Sequence, residues 1–213
     1  MRFKGSFDSE GNTDVLKLIA ITLMIIDHLG YLFFPNILLF RIVGRVGFPV
    51  FAYLIALGYN RTSSYEKYLK RLLIFAFVTV LPYQYFSDGF NALFTLVFGL
   101  ISIHHFKKKD YAIPLGLIIL AQALGTSYGW FGVTMILIFN IFMDNPNKFI
   151  MSFILLVLAH VITTNNTIHL YSLFSLIVLR IDFENVKLRL PKYTFYWFYP
   201  VHITLFLIIK GLI

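Results

Sequence analysis

The side chains best suited to chemistry lie in one apolar stretch near the N-terminus, which carries Lys17, Asp27 and His28. Lys17 and His28 are about three helical turns apart, so they share one helix face at a separation of roughly 16 Å along the axis. An ionisable group inside such a stretch is costly unless it pairs or reaches water. A neutral imidazole is a good general base for an amine or a hydroxyl, which makes His28 a candidate catalytic residue. The alternative is a polar contact that only fixes helix packing.

A second candidate group consists of Asp27 and two arginines of the next apolar stretch, Arg41 and Arg45. Charges within a membrane usually pair, so we expect Asp27 to pair with Arg45, either in a reactive site or only as a clamp between helices. Adjacent helical side chains point about 100° apart, so Asp27 is not expected to orient His28 directly. Arg41 and Arg45 share a helix face and suit bidentate binding of a carboxylate or phosphate. The alternative is that they extend to lipid headgroups.

Two further polar residues, Asn91 and His202, accompany apolar stretches later in the chain. Asn91 precedes such a stretch and is expected to cap its helix. His202 follows Pro200, and proline removes a helical hydrogen bond. A broken helix with a polar side chain often lines a cavity, whereas the tyrosines and tryptophan around His202 equally suit an aromatic belt at the membrane surface.

A lysine-rich loop contains His105 and Asp110, which reproduce the His-x4-Asp spacing of glycerolipid acyltransferases. We interpret that match as chance, because the plain role of a basic loop between apolar stretches is to set topology. Its lysines also suit attraction of the phosphates of a nucleotide or of CoA. The histidines lack HxxxH-type spacing and the chain has no cysteine, so we expect no metal site.

The composition indicates a membrane protein. Of 213 residues, 59% are hydrophobic and only 13% are charged, whereas soluble domains have about 25% charged residues. The net charge is +8, but the basic residues occur in short loops between apolar stretches, so we expect membrane lipids and no nucleic acid as partners. The first apolar stretch is too long for a cleavable signal peptide, so we expect it to remain as a span.

The apolar stretches predict a single all-α domain over residues 1–213, a polytopic transmembrane helix bundle with about nine spans (eight to ten). Several stretches are short for a hydrocarbon core of roughly 30 Å. The predicted spans cover residues 14–34, 39–59, 72–86, 90–103, 111–124, 129–143, 149–163, 168–179 and 193–213. Pro49 is expected to kink the second span. Lysine and arginine are most frequent in the loops after the second, fourth and eighth spans, which places the N-terminus in the cytoplasm.

Five stretches taken together resemble the TraX family, whose members are membrane proteins linked to acetylation of the F-pilin N-terminus. These stretches are LKLIAITLMIIDH (residues 16–28), GRVGFPVF (44–51), YLKRL (68–72), NALFTLVFG (91–99) and FYWFYPVH (195–202). TraX proteins look related to the acyltransferase-3 membrane acyltransferases. Those carry an Arg or Lys, ten residues and a His in the first span, and Lys17 and His28 reproduce this pattern.

The resemblance implies an integral membrane acyltransferase of the bacterial cytoplasmic (inner) membrane. It would move an acyl group, expected to be acetyl, from cytosolic acyl-CoA (acetyl-CoA) to an amine or hydroxyl acceptor on the extracytoplasmic side. The implied acceptor is the N-terminus of a cell-surface protein or a glycan. His28 is then the general base, with Asp27 and Arg45 in the same catalytic set, and no metal is required because a thioester is already activated. The residues assigned to donor binding are Lys17, Arg41, Asn91 and His202.

The residues themselves leave a second function open. Buried carboxylate–histidine groups also carry protons in pumps, so Asp27, His28 and Arg45 suit a small proton-coupled transporter or flippase. Transporters often contain inverted repeats with paired broken helices, and the sequence shows no convincing internal repeat. A non-catalytic membrane scaffold is a third alternative, although a scaffold does not need charged groups at depth.

The predicted topology can be tested by cysteine labelling, since the chain contains no native cysteine. Cysteines introduced at Ser87 and Thr164 should react with an impermeant thiol reagent added outside the cell, because both lie in predicted outer loops. A cysteine at Ser64 should react only after the membrane is permeabilised. The reverse labelling pattern would contradict a cytoplasmic N-terminus and would move His28 to the opposite half of the membrane.

Overall fold

The structure is a computed structural model that describes residues 10–181, 183, 186, 188–191 and 193–211, with side chains from residue 13 onwards. All regular elements in these residues are helical, which confirms the all-α prediction. They are α1 (Glu10–Leu32), α2 (Leu38–Gly44), α3 (Gly47–Arg61), α4 (Tyr65–Val78), α5 (Val80–Phe86), α6 (Ala92–Lys107), α7 (Ala112–Ala123), α8 (Gly129–Phe142), α9 (Pro146–Thr164), a 3₁₀ helix (Thr167–Phe174), α10 (Ser175–Val178) and α11 (Thr194–Lys210).

The described residues fall into two compact units. The first unit lies within Met1–Leu54 and Ile141–Pro191, and the second within Ile55–Asn140 and Lys192–Ile213. In the first unit, α1 packs on α2, and the 3₁₀ helix packs on both α2 and α9. In the second unit, α4 packs on α6 and α11, α6 packs on α7, and α11 also packs on α5. The prediction of one domain over the whole chain stays a prediction.

Three described segments are long and apolar enough to cross a membrane: Thr13–Leu32, Leu38–Arg61 and Pro146–Thr164. These lengths and compositions support a membrane protein. Other apolar helices in the described part of the chain are shorter, among them Ala92–Lys107 and Ala112–Ala123. A count of about nine spans is therefore not confirmed and stays a prediction.

The second long segment is interrupted between α2 and α3. A proline ring clashes with the carbonyl group four residues earlier, and for Pro49 that carbonyl belongs to Arg45, which immediately follows α2. The Arg45 amide still donates to the carbonyl oxygens of Arg41 and Ile42, at 3.1 and 3.2 Å. The interruption places Arg45 between the two helices, and the kink expected at Pro49 stays a prediction.

Glycines allow α1 and α2 to approach closely. A side chain added at Gly44 would overlap the carboxylate of Asp27, and one added at Gly30 would overlap the side chain of Phe40. Small residues at helix contacts are common in membranes because they let the backbones come together. Gly44 thus makes room for the Asp27 carboxylate against α2.

Replacing Gly44 with alanine should destabilise the protein by about 1–3 kcal/mol, since the new methyl group must displace Asp27 or separate α1 from α2. The measurement is the free energy of unfolding in mixed micelles. Gly116→Ala on α7 is the matched control, because a Cβ there meets nothing within 4 Å and alanine favours a helix by up to about 1 kcal/mol. Equal stability of the two variants would contradict the tight contact at Gly44.

Candidate functional site

The Asp27 carboxylate lies between two guanidinium groups in the first unit. Arg45 Nη2 donates to both carboxylate oxygens, at 2.8 and 2.9 Å. Arg41 Nη1 is 2.9 Å from Oδ2 and also 3.2 Å from the backbone oxygen of Asp27. The Asp27 and Arg45 side chains are each only 11% exposed. The predicted Asp27–Arg45 pair is confirmed, and Arg41 joins it.

We call Asp27, Arg41 and Arg45 the ion cluster. Its net formal charge is +1, because it contains two arginines and one aspartate. Arg41 is the more open of the two arginines, with 29% of its side chain exposed, and its guanidinium lies 5.3 Å from the centre of the Tyr31 ring. The expectation that both arginines bind a carboxylate or phosphate from outside the chain stays a prediction. The anion they hold in this structure is Asp27, whose carboxylate links α1 to α2.

His28 immediately follows Asp27 on α1 and is half-buried. Successive helical side chains diverge by about 100°, so Asp27 and His28 point in different directions. The ion cluster therefore acts on His28 by holding the α1 backbone. Positioning of this kind suits a general base, because proton transfer depends on geometry as well as on pKa.

Lys17, on the same helix, forms an ion pair with Asp14 in which Nζ lies 2.7 Å from Oδ1. The other oxygen of Asp14 accepts from the backbone amide of Leu190 at 2.9 Å. Asp14 therefore connects α1 to the segment that precedes α11. The Lys17 side chain is one-third exposed, so its ammonium group stays accessible near the start of α1.

Two histidines that are nine positions apart in the sequence, without HxxxH-type spacing, lie together in the first unit. The rings of His160 on α9 and His169 on the 3₁₀ helix are 4.5 Å apart between centroids and nearly perpendicular. The 3₁₀ helix that carries His169 packs on α2, which contains Arg41. The sequence feature that could have predicted this contact is the pair Asn165–Asn166, which reverses the chain between α9 and the 3₁₀ helix.

That reversal depends on both asparagines. Asn165 adopts a left-handed conformation with φ of 51° at the end of α9, which asparagine tolerates better than most residues. The side chain of Asn166 then accepts from the Ile168 amide at 3.2 Å and caps the 3₁₀ helix. The chain turns back on itself as a result, and His169 returns to the level of His160.

His202 occupies an aromatic environment in the second unit and is only 5% exposed. Its ring is stacked on Phe198 at 4.6 Å and lies 5.5 Å from the ring of Tyr199. Nδ1 donates to the Phe198 carbonyl at 2.8 Å, which makes Nε2 the acceptor nitrogen. The expectation of a broken helix is wrong, because α11 continues through Pro200.

Asn91 caps α6, as predicted. Its side-chain oxygen accepts from the Leu93 amide at 3.0 Å, and its amide nitrogen donates to the Ala76 carbonyl at 2.9 Å. The residue is 1% exposed, so both ends of the amide are used inside the second unit. The assignment of Asn91 and His202 to donor binding stays a prediction.

The His-x4-Asp residues do come into contact, since His105 Nδ1 lies 3.0 Å from Asp110 Oδ2. Both side chains are about one-third exposed or more, at 32% and 45%, and the pair sits at the end of α6 beside exposed lysines. Within the described ranges, no group of three or more His, Asp or Glu side chains could hold a metal ion.

The family of the chain follows from a match over almost its whole length. A family model described as TraX protein matches residues 12–210. The chain belongs to the TraX family. The matched region includes the ion cluster, His28, the His160–His169 pair and His202, so all the sites described above lie within the part shared with other TraX proteins.

Two other proteins are similar in sequence to this TraX chain. It is 32% identical over 101 residues to an uncharacterized protein of Rickettsia prowazekii (strain Madrid E), a match that covers 45% of this chain and 38% of that protein. It is 24% identical over 228 aligned positions to a probable fimbrial assembly protein, FimC of serogroup H1, from Dichelobacter nodosus, covering 89% and 92% of the two chains. The chain thus spans well under half the length of the Rickettsia protein. No solved structure matches it.

Double replacement tests the ion cluster. Removing one partner of a buried ion pair leaves an uncompensated charge, so Asp27→Asn should lower the free energy of unfolding by about 3–5 kcal/mol. The same replacement in an Arg45→Gln background should cost less, because part of the interaction is already lost. Lys17→Gln is the control and should cost less than about 1 kcal/mol, as expected for a pair near the surface. An equal cost of Asp27→Asn in both backgrounds would show that the two side chains do not interact.

Proposed function

We propose that this TraX chain is an integral membrane acyltransferase of the bacterial cytoplasmic membrane, with its N-terminus in the cytoplasm. It transfers an acyl group, in the first instance acetyl, from cytosolic acyl-CoA to an amine or hydroxyl on the extracytoplasmic side. The observation that carries the proposal is that His28 directly follows Asp27, the carboxylate of the ion cluster, on α1 in a chain of this family. A half-buried imidazole next to a fixed carboxylate–arginine group suits proton transfer.

The proposed reaction needs one base and a positioned thioester. His28 accepts the proton of the acceptor amine or hydroxyl while the nitrogen or oxygen forms a bond to the acyl carbon. The carbon–sulfur bond breaks, and the proton passes from His28 to the sulfur, so that free CoA leaves with a thiol. Positioning and stabilisation of the developing oxyanion supply the rest of the rate.

The ion cluster has a positioning and electrostatic role in this proposal. Arg41 and Arg45 hold Asp27 and thereby fix α1 at His28, and their excess positive charge favours a developing oxyanion nearby. Lys17, one-third exposed near the start of α1, would meet the donor on the cytoplasmic side. The 3₁₀ helix that carries His169 packs on α2, next to the ion cluster.

The acceptor is proposed from chemistry and from the relatives. The family is associated with pilin acetylation, and one relative is named a probable fimbrial assembly protein, which favours the N-terminal amine of a cell-surface protein. Related membrane acyltransferases modify sugars, so a glycan hydroxyl remains the second acceptor class. A small proton-coupled transporter or flippase using Asp27, His28 and Arg45 is the alternative function.

Acyl transfer can be measured with purified protein and radiolabelled acetyl-CoA. Replacing His28 with alanine should lower the rate of thioester cleavage or transfer by about 10²-fold or more, because general base catalysis contributes roughly 10²–10⁴-fold. His105→Ala is the matched control, since it removes another histidine with a carboxylate partner and should leave the rate within about twofold.

Three outcomes would contradict the assignment. Loss of activity in His105→Ala but not in His28→Ala would place the catalytic residues in the His-x4-Asp loop. Full activity in His28→Ala would remove its role as the base. Proton-coupled substrate flux in liposomes, without any dependence on CoA, would favour the transporter instead.

A further inference from the structure

A second charged cluster, formed by Arg71, Tyr68 and Tyr196, lies in the second unit and has no role in the proposed reaction. Arg71 and Tyr68 belong to α4, and Tyr196 belongs to α11, which packs on α4. The Arg71 guanidinium carbon lies 6.0 Å from the centre of the Tyr68 ring and next to the hydroxyl of Tyr196. The cluster therefore combines one fixed positive charge with two phenol groups.

Arg71 lacks the anion that an arginine in such surroundings normally has. The residue is half-buried, and its Nε is fully buried without a hydrogen-bond acceptor. None of the acidic side chains that the structure describes forms an ion pair with it. Its contacts with the Tyr68 ring and the Tyr196 hydroxyl supply no negative charge, so they recover only part of the hydration that a guanidinium loses on burial. The positive charge of Arg71 is thus incompletely compensated.

The neighbours hold the cluster rigidly. Phe75 packs on both the Tyr196 and Trp197 rings, with centroids 5.3 and 5.1 Å apart. The Tyr68 hydroxyl lies against Gly58, only 2.9 Å from where a Cβ would stand. Side chains that are already packed against neighbours lose less conformational entropy when an anion binds than side chains free in solvent.

We infer that Arg71, together with the hydroxyl groups of Tyr68 and Tyr196, forms a binding site for the phosphate group of a lipid or a nucleotide. The guanidinium is a planar donor that matches a phosphate through two parallel hydrogen bonds. Phenol hydroxyls donate further hydrogen bonds to phosphate oxygens. Both an anionic phospholipid and a nucleotide such as CoA offer this group at a membrane surface. The site is distinct from the ion cluster, whose arginines are already occupied by Asp27.

Tryptophan fluorescence can test the site, because the chain has two tryptophans and Trp197 contacts Phe75 beside Arg71. In a Trp130→Phe background, full-length protein in a nonionic detergent is titrated with CoA in one arm and short-chain phosphatidylglycerol in the other. At least one probe should change the Trp197 emission in a saturable way. Saturation by CoA alone identifies a nucleotide site, and saturation by phosphatidylglycerol alone identifies a lipid site.

Variants then assign the binding to Arg71. Arg71→Gln should weaken binding of the probe that saturates by about tenfold or more. Arg71→Lys should retain part of the affinity, since lysine keeps the positive charge but cannot form two parallel hydrogen bonds to a phosphate. Lys70→Gln is the matched control, an exposed cation at the preceding position, and should change affinity by less than about twofold. If Arg71→Gln fails to fold, Tyr196→Phe removes only the hydroxyl and should weaken binding about threefold.

Two results would overturn the site. The first is the absence of saturable binding in both arms. The second is unchanged affinity in Arg71→Gln with a normal thermal transition or, where that variant does not fold, unchanged affinity in Tyr196→Phe. Either would assign Arg71 to helix packing through its aromatic neighbours. The readout is binding rather than acyl transfer, so a negative result here leaves the reaction proposed above to be decided by its own assay.

Discussion

One carboxylate fixes the geometry of the N-terminal part of this TraX protein. Asp27 accepts hydrogen bonds from Arg45 at 2.8 and 2.9 Å and pairs with Arg41 at 2.9 Å. Such an arrangement is expensive to break in low-dielectric surroundings, because each unpaired charge would be left without water. The position of α1 relative to α2, and with it the position of His28, depends on this interaction.

Backbone features make the interaction possible. Gly44 has no side chain where the Asp27 carboxylate approaches α2. Pro49 cannot donate a helical hydrogen bond to the Arg45 carbonyl, and the second long segment is interrupted at Arg45, whose guanidinium reaches α1. The helical contact, the break and the ion cluster thus support one another. We infer that this buried charge group specifies how α1 and α2 are positioned against each other, rather than adding to the stability of the protein.

Features that depend on local sequence were predictable, and those that depend on the turns of the chain were not. The all-helical fold follows from apolar stretches, and the Asp27–Arg45 pair follows from the cost of an unpaired charge. By contrast, the His160–His169 contact depends on a reversal between α9 and the 3₁₀ helix. The spacing of the two histidines does not indicate such a reversal; the only sequence signal for it is the pair Asn165–Asn166, which suits a turn.

The central claim is that the carboxylate of Asp27 positions His28 for proton transfer. Its most direct test is the rate of acyl transfer by Asp27→Asn, measured at a temperature at which the variant stays folded, together with its affinity for the donor. The account predicts a loss of at least about tenfold in rate with little change in donor affinity, because a misplaced base slows chemistry rather than binding. Transfer at the parental rate by folded Asp27→Asn would contradict it.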